Sequence, residues 1–297
     1  MSDRPILVLG GGGMLGHRMV RALKRTGLPV ACTLRGAAED FPAGWSKMFA
    51  GTQLHTGVDL VRIDSVTRLL EEVKPSTVIN CVGVIKQRSE GADPVANIAV
   101  NALAPHVIAR TVQRWGGRLI HVSTDCVFEG SRGNYSETDP AEARDIYGLT
   151  KMLGEPSGPG VLTLRTSMVG REIRHHESLL EWLISQNHGR VRGFTKMFWS
   201  GVTNIYLADF IVDILKHHQS LEGLYHLSGE RVSKHELLVA MRDALGLDVE
   251  IVPEEGVVLD RSLDGAKLRS VTKHETPPLR DLLAEIAADA GPYPQIA

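Results

Sequence analysis

Tyr147 and Lys151 stand four positions apart in Tyr147-Gly148-Leu149-Thr150-Lys151, a spacing that stacks a phenol and an ammonium on one face of a helix. A tyrosine with the ordinary pKa of about 10 cycles a proton poorly near neutrality, and a nearby cation stabilises the phenolate and lowers that value. Tyr147 can then donate a proton to a carbonyl oxygen as hydride arrives at the carbon. A tyrosine packed on a core beside a surface lysine shows the same spacing, so the pair gains weight only from its surroundings. Ser123-Thr124-Asp125 lies upstream, and the Thr124 hydroxyl can hydrogen-bond the same carbonyl, although such a triplet in isolation is more often a turn or a cap. A third feature is Gly10-Gly11-Gly12-Gly13-Met14-Leu15-Gly16, with glycines at a GxxGxxG spacing. One glycine permits a tight turn, another lets backbone approach a pyrophosphate, and a third lets strand and helix pack closely.

Each feature needs an element to carry it. Ile6-Leu7-Val8-Leu9 is a continuous apolar run ending at Gly10, as expected of a strand buried on both faces of a parallel sheet, and residues 17–26 read as the helix after it. Further strands are expected at 30–34, 77–82, 118–123 and 161–165, alternating with helices at 65–73, 94–115 and 147–155. The fold class implied is α/β, a Rossmann-type doubly wound parallel sheet with a smaller mixed α/β substrate-binding lobe. Strand ends of such a sheet deliver groups to a cofactor crevice, which puts Thr124 near the glycine loop. Past residue 170 the alternation weakens, with helices expected at 178–186, 207–217 and 234–245 and a strand at 223–227. The domains expected are 1–170 for NAD(P) binding and 171–297 for mainly substrate binding, with segments near 200–220 free to return to the first.

Enzymes that prefer NAD usually place an acidic residue at the end of the second strand. Here Arg35 occupies that region, 19 residues after Gly16, where a guanidinium would bind a 2′-phosphate bidentately. NADP(H) is therefore favoured over NAD(H), the alternative being that Arg35 is a solvated strand-end charge.

The chain has 297 residues, enough for a sizeable core, and its 33 basic against 35 acidic side chains give a net charge of −2, unlike a nucleic-acid binder. Its three cysteines form no CxxC pair, so neither a zinc knuckle nor a disulfide framework is indicated and reduced thiols in the cytoplasm are expected. The longest apolar stretch, 78–85, contains Asn80 and is far shorter than the ~20 residues of a membrane span, so no membrane partner is expected. The N-terminus shows no small-residue cleavage site, and a removed signal peptide is not expected. His175-His176 and His217-His218 are adjacent pairs whose side chains diverge, and with no HExxH motif no catalytic metal is expected.

Taken together, the motifs resemble the extended short-chain dehydrogenase/reductase superfamily and, within it, the dTDP-4-dehydrorhamnose reductase family. Ser123-Thr124-Asp125-Cys126-Val127-Phe128-Glu129-Gly130 is close to that family's STDYVFDG signature. Asn101-Ala102-Leu103-Ala104-Pro105, Leu164-Arg165-Thr166-Ser167 and Gly223-Leu224-Tyr225-His226-Leu227 match further segments, so the likeness covers most of the chain. The resemblance implies NADPH-dependent reduction of the 4-keto group of a nucleoside-diphosphate 6-deoxyhexose, in the synthesis of cell-surface polysaccharide precursors. Tyr147 would be the proton donor, Lys151 would hold the nicotinamide ribose and lower the Tyr147 pKa, and Thr124 would orient the ketone with help from Asp125. Cofactor contacts are implied for Gly10, Gly12, Gly13, Met14, Leu15 and Gly16, for Arg35, for the adenine-contacting pair Asp59-Leu60, for Cys81, Val82 and Gly83 after a buried strand, and for Tyr147, Lys151 and Arg165. Homodimers are common in that superfamily, although no dimer-specific pattern is legible in this chain.

Departures from the family pattern bear on the substrate. Cys126 stands where the related 4,6-dehydratases have Glu, which argues against dehydration. Met168 replaces an aromatic after Arg-Thr-Ser, Met197-Phe198-Trp199-Ser200-Gly201-Val202-Thr203 replaces a segment like DQxGxPT, and Val84-Ile85-Lys86-Gln87-Arg88 also differs. These changes fall in sugar-facing loops, so Met168, Trp199 and Thr203 are candidate substrate contacts, and a UDP-linked or N-acetylated sugar is open beside a dTDP-linked one. Arg261 is a candidate for the substrate diphosphate or, equally, a surface charge. Two other uses of the scaffold remain: a nucleotide-sugar epimerase, and a non-catalytic NADP-binding regulatory subunit.

Overall fold

Four apolar residues in a row can all leave water only in a strand covered on both faces, and each buried Leu, Ile or Val is worth roughly 1.5–3 kcal/mol. In the computed structural model, which describes residues 4–42, 44–85, 93–174 and 176–293, that strand is β1 (Ile6–Leu9). Ile6 and Val8 face a layer containing Met19, Leu23, Leu207 and Phe210. Leu7 and Leu9 face the opposite layer, with Val66, Leu70 and Ile108. The chain continues through α1 (Gly16–Lys24), β2 (Val30–Thr33), β3 (Gln53–His55), α2 (Ile63–Val73) and β4 (Thr77–Asn80). Next come α3 (Pro94–Asn97), a π-helical stretch (Ile98–Leu103), α4 (Ala104–Gln113), β5 (Arg118–Thr124), α5 (Ile146–Leu153) and β6 (Val161–Thr166).

Beyond β6 lie β7 (Met168–Val169), α6 (Leu179–Ser185), β8 (Arg190–Phe194), β9 (Met197–Trp199), β10 (Val202–Thr203), α7 (Asn204–His217) and β11 (Gly223–His226). The remainder is β12 (Val232–Ser233), α8 (Lys234–Leu245), β13 (Glu250–Glu254), β14 (Leu259–Asp260), α9 (Ala266–Thr272) and α10 (Leu279–Ala287). The main sheet runs β11-β6-β5-β4-β1-β2-β3, parallel throughout, which is the Rossmann-type doubly wound arrangement. β3 is the strand the sequence pattern did not announce: it has three residues, none fully buried, and no apolar run.

Residue 170 is a crossing point of the chain. Helix α7 packs on α1, and β11 joins the edge of the main sheet, so residues 204–226 return to the first layer system. Asp289, just after α10, receives ion pairs from Arg18 and Arg21 of α1. The second lobe has its own core, in which Leu180, Leu183, Trp199, Leu237, Met241, Leu283 and Ile286 meet. Residues Pro94–Gln113 are long and apolar enough to cross a membrane by length and composition. Here that helix packs on α2, α5 and β5, as a layer helix of the sheet.

Candidate active site

At the end of β1 the chain turns through Gly10 at φ +79°, a region that disfavours any side chain. The Gly10 N–H donates to Thr33 Oγ1 at 3.0 Å and the Gly11 N–H to the Thr33 carbonyl at 2.8 Å, tying the loop to β2. A Cβ at Gly16 would overlap the Gly10 carbonyl oxygen, so the N-terminus of α1 can meet β1 only as glycine. The first turn of α1 carries no acidic side chain to oppose an anion. This cradle fits the pyrophosphate of a nicotinamide dinucleotide: Gly10, Gly12, Gly13 and Gly16 place no side chain between ligand and backbone, while the Gly10 and Gly13 N–H groups hold the turn itself, on Thr33 Oγ1 and the Gly10 carbonyl. Met14 and Leu15 complete the turn, Leu15 by burying its side chain in the core and Met14 by accepting from Asn204 Nδ2 at 2.9 Å.

Other expected cofactor residues gather at the same end of the sheet. Arg35 is exposed just past β2, and Leu34 links to the segment after β3 through hydrogen bonds with His55 and Val58. That segment leads to Asp59, whose carboxylate accepts from the Val61 N–H at 3.0 Å, and to the buried Leu60. Cys81 follows β4, bonded through its N–H to the Leu9 carbonyl at 3.2 Å, and Val82 lies against Gly10. Gly83 is exposed beyond them, while Lys86, Gln87, Arg88 and His175 lie outside the described residues. Burial pushes the Cys32 thiol up to about 12 and moves Cys81 the same way, so neither is a thiolate.

The catalytic candidates meet where β5 ends. Thr124, buried, hydrogen-bonds Tyr147 and lies 3.1 Å from Asp125 Oδ1. Helix α5 comes this close because Gly148 passes the Cys126 carbonyl and Gly154 passes the Asn101 carbonyl, each at a place where a Cβ would overlap. Asp145 caps α5, its carboxylate accepting from the Gly148 N–H at 3.0 Å. One turn beyond Tyr147, Lys151 is 4% exposed and donates to the Val122 carbonyl at 2.8 Å. Burial lowers the Lys151 pKa to about 8 against the pull of Glu155.

For Tyr147 the balance is upward: burial and Cys126 raise its pKa, Thr124 opposes them, and Asp125 and Asp145 add to the rise. The lowering expected from Lys151 is thus not what governs the phenol here: burial, Cys126, Asp125 and Asp145 prevail. Burial also raises the Asp125 pKa against Thr124 and Arg261.

Arg261 reaches this cluster, donating from Nε to the Phe128 carbonyl at 2.9 Å and lying 3.7 Å from Cys126 Sγ through Nη1. Packing corrects three other expectations and leaves that for Met168 open. Arg165 is 5% exposed, held by both carboxylate oxygens of Glu155 at 2.8 and 2.7 Å and stacked over Phe128, which leaves its guanidinium facing protein. Trp199 is buried in the second core with its indole N–H on Ser167 Oγ at 2.9 Å, so its ring is not presented to a sugar. Thr203 is wholly buried as the cap of α7, accepting from the Tyr206 N–H at 3.2 Å. Met168 is half-buried against the core beside β10.

Several site residues had no sequence signal of their own. Lys234 opens α8 and is coupled to Asp125 and Cys126; burial lowers its pKa to about 8. Glu155 joins Arg165 to Ser123, whose hydroxyl donates to it at 2.7 Å. Among the described residues no group of three or more His, Cys, Asp and Glu side chains is placed to hold a metal ion.

A family model described as RmlD substrate binding domain matches residues 4–277. The dTDP-4-dehydrorhamnose reductase of Burkholderia thailandensis is 32% identical over 169 residues, 55% of this chain, and the match spans only half of that relative's length. Methionine adenosyltransferase 2 subunit beta of Xenopus tropicalis is 24% identical over 256 residues, 82% of this chain and 73% of its own. Among solved structures, the dTDP-4-dehydrorhamnose reductase of Bacillus anthracis in complex with NADP superposes with a TM-score of 0.74 at 19% identity, covering 96% of this chain and 99% of its own. The Bordetella bronchiseptica enzyme WbmG in complex with NAD superposes with a TM-score of 0.77 at 19% identity, covering 97% and 94%. With that match running through both lobes, the chain belongs to the RmlD substrate-binding-domain family, the dTDP-4-dehydrorhamnose reductase-like branch of the extended short-chain dehydrogenase/reductases.

Proposed function

We propose that the protein is an NADPH-dependent oxidoreductase that reduces the 4-keto group of a nucleoside-diphosphate 4-keto-6-deoxyhexose in the cytoplasm, supplying cell-surface polysaccharide precursors. The observation that carries this reading is the contact of Thr124 with Tyr147 at the end of β5, on the same sheet edge as the glycine loop, with Lys151 one helical turn away. A nicotinamide dinucleotide, when bound, supplies hydride. The residues of this chain do the rest: Thr124 orients the ketone oxygen, Tyr147 gives it a proton, and Lys151 places positive charge under the phenolate that remains. Arg261 and Lys234 put two cations by Asp125 and Cys126, where the diphosphate of the substrate can lie.

Arg35 supports NADPH over NADH, and a UDP-linked or N-acetylated sugar stands beside the dTDP-linked one as substrate. The exposed apolar side chains Val95, Ile98, Leu103 and Leu153, along α3, the π stretch and α5, support a homodimer. The test is loss of NADPH absorbance with dTDP-, UDP- and GDP-linked 4-keto-6-deoxy sugars, each generated in situ. Oxidation with one of them establishes the reaction and names base and sugar together. A second reading, a non-catalytic NADP-binding subunit, is favoured by the subunit beta relatives matching 82% of the chain. Tight NADPH binding with no oxidation by any sugar would support that reading, or a nucleotide-sugar epimerase, over reduction.

A further inference from the structure

His121 is wholly buried in β5, and the register pairs it with Asn80 of β4 on one side and Thr163 of β6 on the other. Its ring stands between the Asn80 amide and the Lys151 amine. The Asn80 amide has its orientation fixed by a group that can only donate: the Val82 backbone N–H meets Asn80 Oδ1 at 3.1 Å. Asn80 Nδ2 therefore faces His121 Nδ1, 3.2 Å away, and donates to it. A neutral imidazole carries one proton, and with Nδ1 accepting, that proton sits on Nε2. Burial, reinforced by Lys151 and by His106 of α4, holds the His121 pKa well below the ordinary value, so the ring is neutral. The Nε2–H consequently points at Lys151 Nζ, 3.5 Å away. An ammonium has no lone pair to receive it, whereas an uncharged amine has one.

We infer that His121 is a positioning residue for Lys151: locked by Asn80 in its Nε2–H tautomer, it donates to the amine and favours the uncharged form. The charged groups around this pair are few. Glu155, at the end of α5, pulls Lys151 toward its cationic form, and Glu155 is itself held by Arg165 of β6. His106 faces His121 from α4, Asn80 and Thr163 carry no charge, and Tyr147 shares the Lys151 helix. Burial already brings the Lys151 pKa to about 8 against Glu155, and the His121 N–H adds to that lowering. For its consequence in turnover the inference rests on the reductase reading, where Lys151 must be cationic beneath the phenolate. Turnover should fall as pH rises through about 8.

The test begins with the native protein labelled with 15N-histidine, the His121 signals being identified by their loss in His121→Gln. The expected spectrum has Nδ1 unprotonated and Nε2 protonated from about pH 6 to 9, the range over which a neutral ring is required; a proton on Nδ1 overturns the inference. Next, 13C-lysine-labelled protein is titrated, with Lys151 identified by its loss in Lys151→Met. Its midpoint should rise by about one pH unit in His121→Leu, which lacks the donor, and return toward the native value in His121→Gln, whose amide can supply one. A midpoint that stays or falls in a folded His121→Leu overturns it, and if that variant does not fold, the native tautomer still decides. Neither readout needs turnover, so a protein that oxidises NADPH with no sugar sinks the reductase reading alone. Where turnover is seen, the alkaline limb of kcat should move upward with the Lys151 midpoint, leaving KM unchanged.

Discussion

The Tyr147 proton is held more tightly than that of an exposed tyrosine, because burial, Cys126, Asp125 and Asp145 all oppose a phenolate and Thr124 alone favours one among the strongest influences. Tyr147 is accordingly a protonated donor across the neutral range. Replacing it by Phe keeps the ring and removes the proton, so NADPH binding should persist while turnover with the responsive sugar falls by about 10²–10⁴-fold; a variant that turns over normally would take Tyr147 out of the mechanism. Thr124→Val keeps the shape of the β5 end and removes the hydroxyl that touches Tyr147. Its kcat/KM should fall by roughly 10-fold or more, since a hydrogen bond to a developing charge is worth about 1.5–3 kcal/mol. At this scale the residues that chemistry makes unusual were legible: a Tyr and a Lys one turn apart, a Thr at a strand end, a run of glycines. His121 and Asn80 were not, because a lone His or Asn in an apolar strand has no spacing partner; only the sheet register sets Asn80 beside His121.

Helices and strands meet at the site through glycines more than through large side chains. A Cβ on Gly148 would overlap the Cys126 carbonyl and the Ala143 methyl. Gly148→Ala should push α5 off the end of β5 at a cost of about 1–3 kcal/mol. Thermal unfolding should show a lowered Tm, and turnover should fall by more than the fraction unfolded accounts for, because Tyr147 moves away from Thr124 with the helix. A Tm equal to that of the native protein would mean that α5 tolerates the methyl and that Gly148 is not what sets its approach. The elements themselves followed from apolar runs where both faces are buried, as in β1, β4 and β6. Where packing belongs to the second lobe the sequence misled: Trp199 and Thr203 look like loop residues near a ligand, yet one fills a core and the other caps α7. Both outcomes depend on contacts made far along the chain, which no local pattern encodes. The π-helical stretch at Ile98–Leu103 gave no signal either, being apolar like the helix around it.

Across the whole molecule, acid should act through buried neutral histidines before it acts through carboxylates. His17 is wholly buried, donates from Nδ1 to the Gly13 carbonyl at 2.9 Å and accepts at Nε2 from Tyr293 Oη at 2.9 Å. It thereby fastens the C-terminal segment to the glycine loop. Burial, with Arg18 beside it, lowers the His17 pKa to about 3, and burial lowers that of His226 to about 4. His121 moves in the same direction. Because the folded pKa lies below the unfolded value of about 6.5, the unfolded chain takes up the proton first. The stability these residues contribute is complete above that value and is lost as pH falls toward the folded pKa. Each histidine should remove about 1.4 kcal/mol per pH unit within its window. Asp289, held at about 2 by Arg18 and Arg21 against burial, acts only later, between the ordinary carboxylate value and 2. Urea unfolding should therefore show a stability that is flat near pH 7, below the window in which Lys151 and Lys234 titrate, and falls from about 6.5 to 5 with the slope of some three protons. In His17→Gln, which keeps a side-chain donor for Gly13 without a titrating ring, that slope should drop by about one proton. An unchanged slope would mean that the His17 ring is not the group that couples acid to the glycine loop, and the acid sensitivity would then belong to His121 and His226 in the sheet.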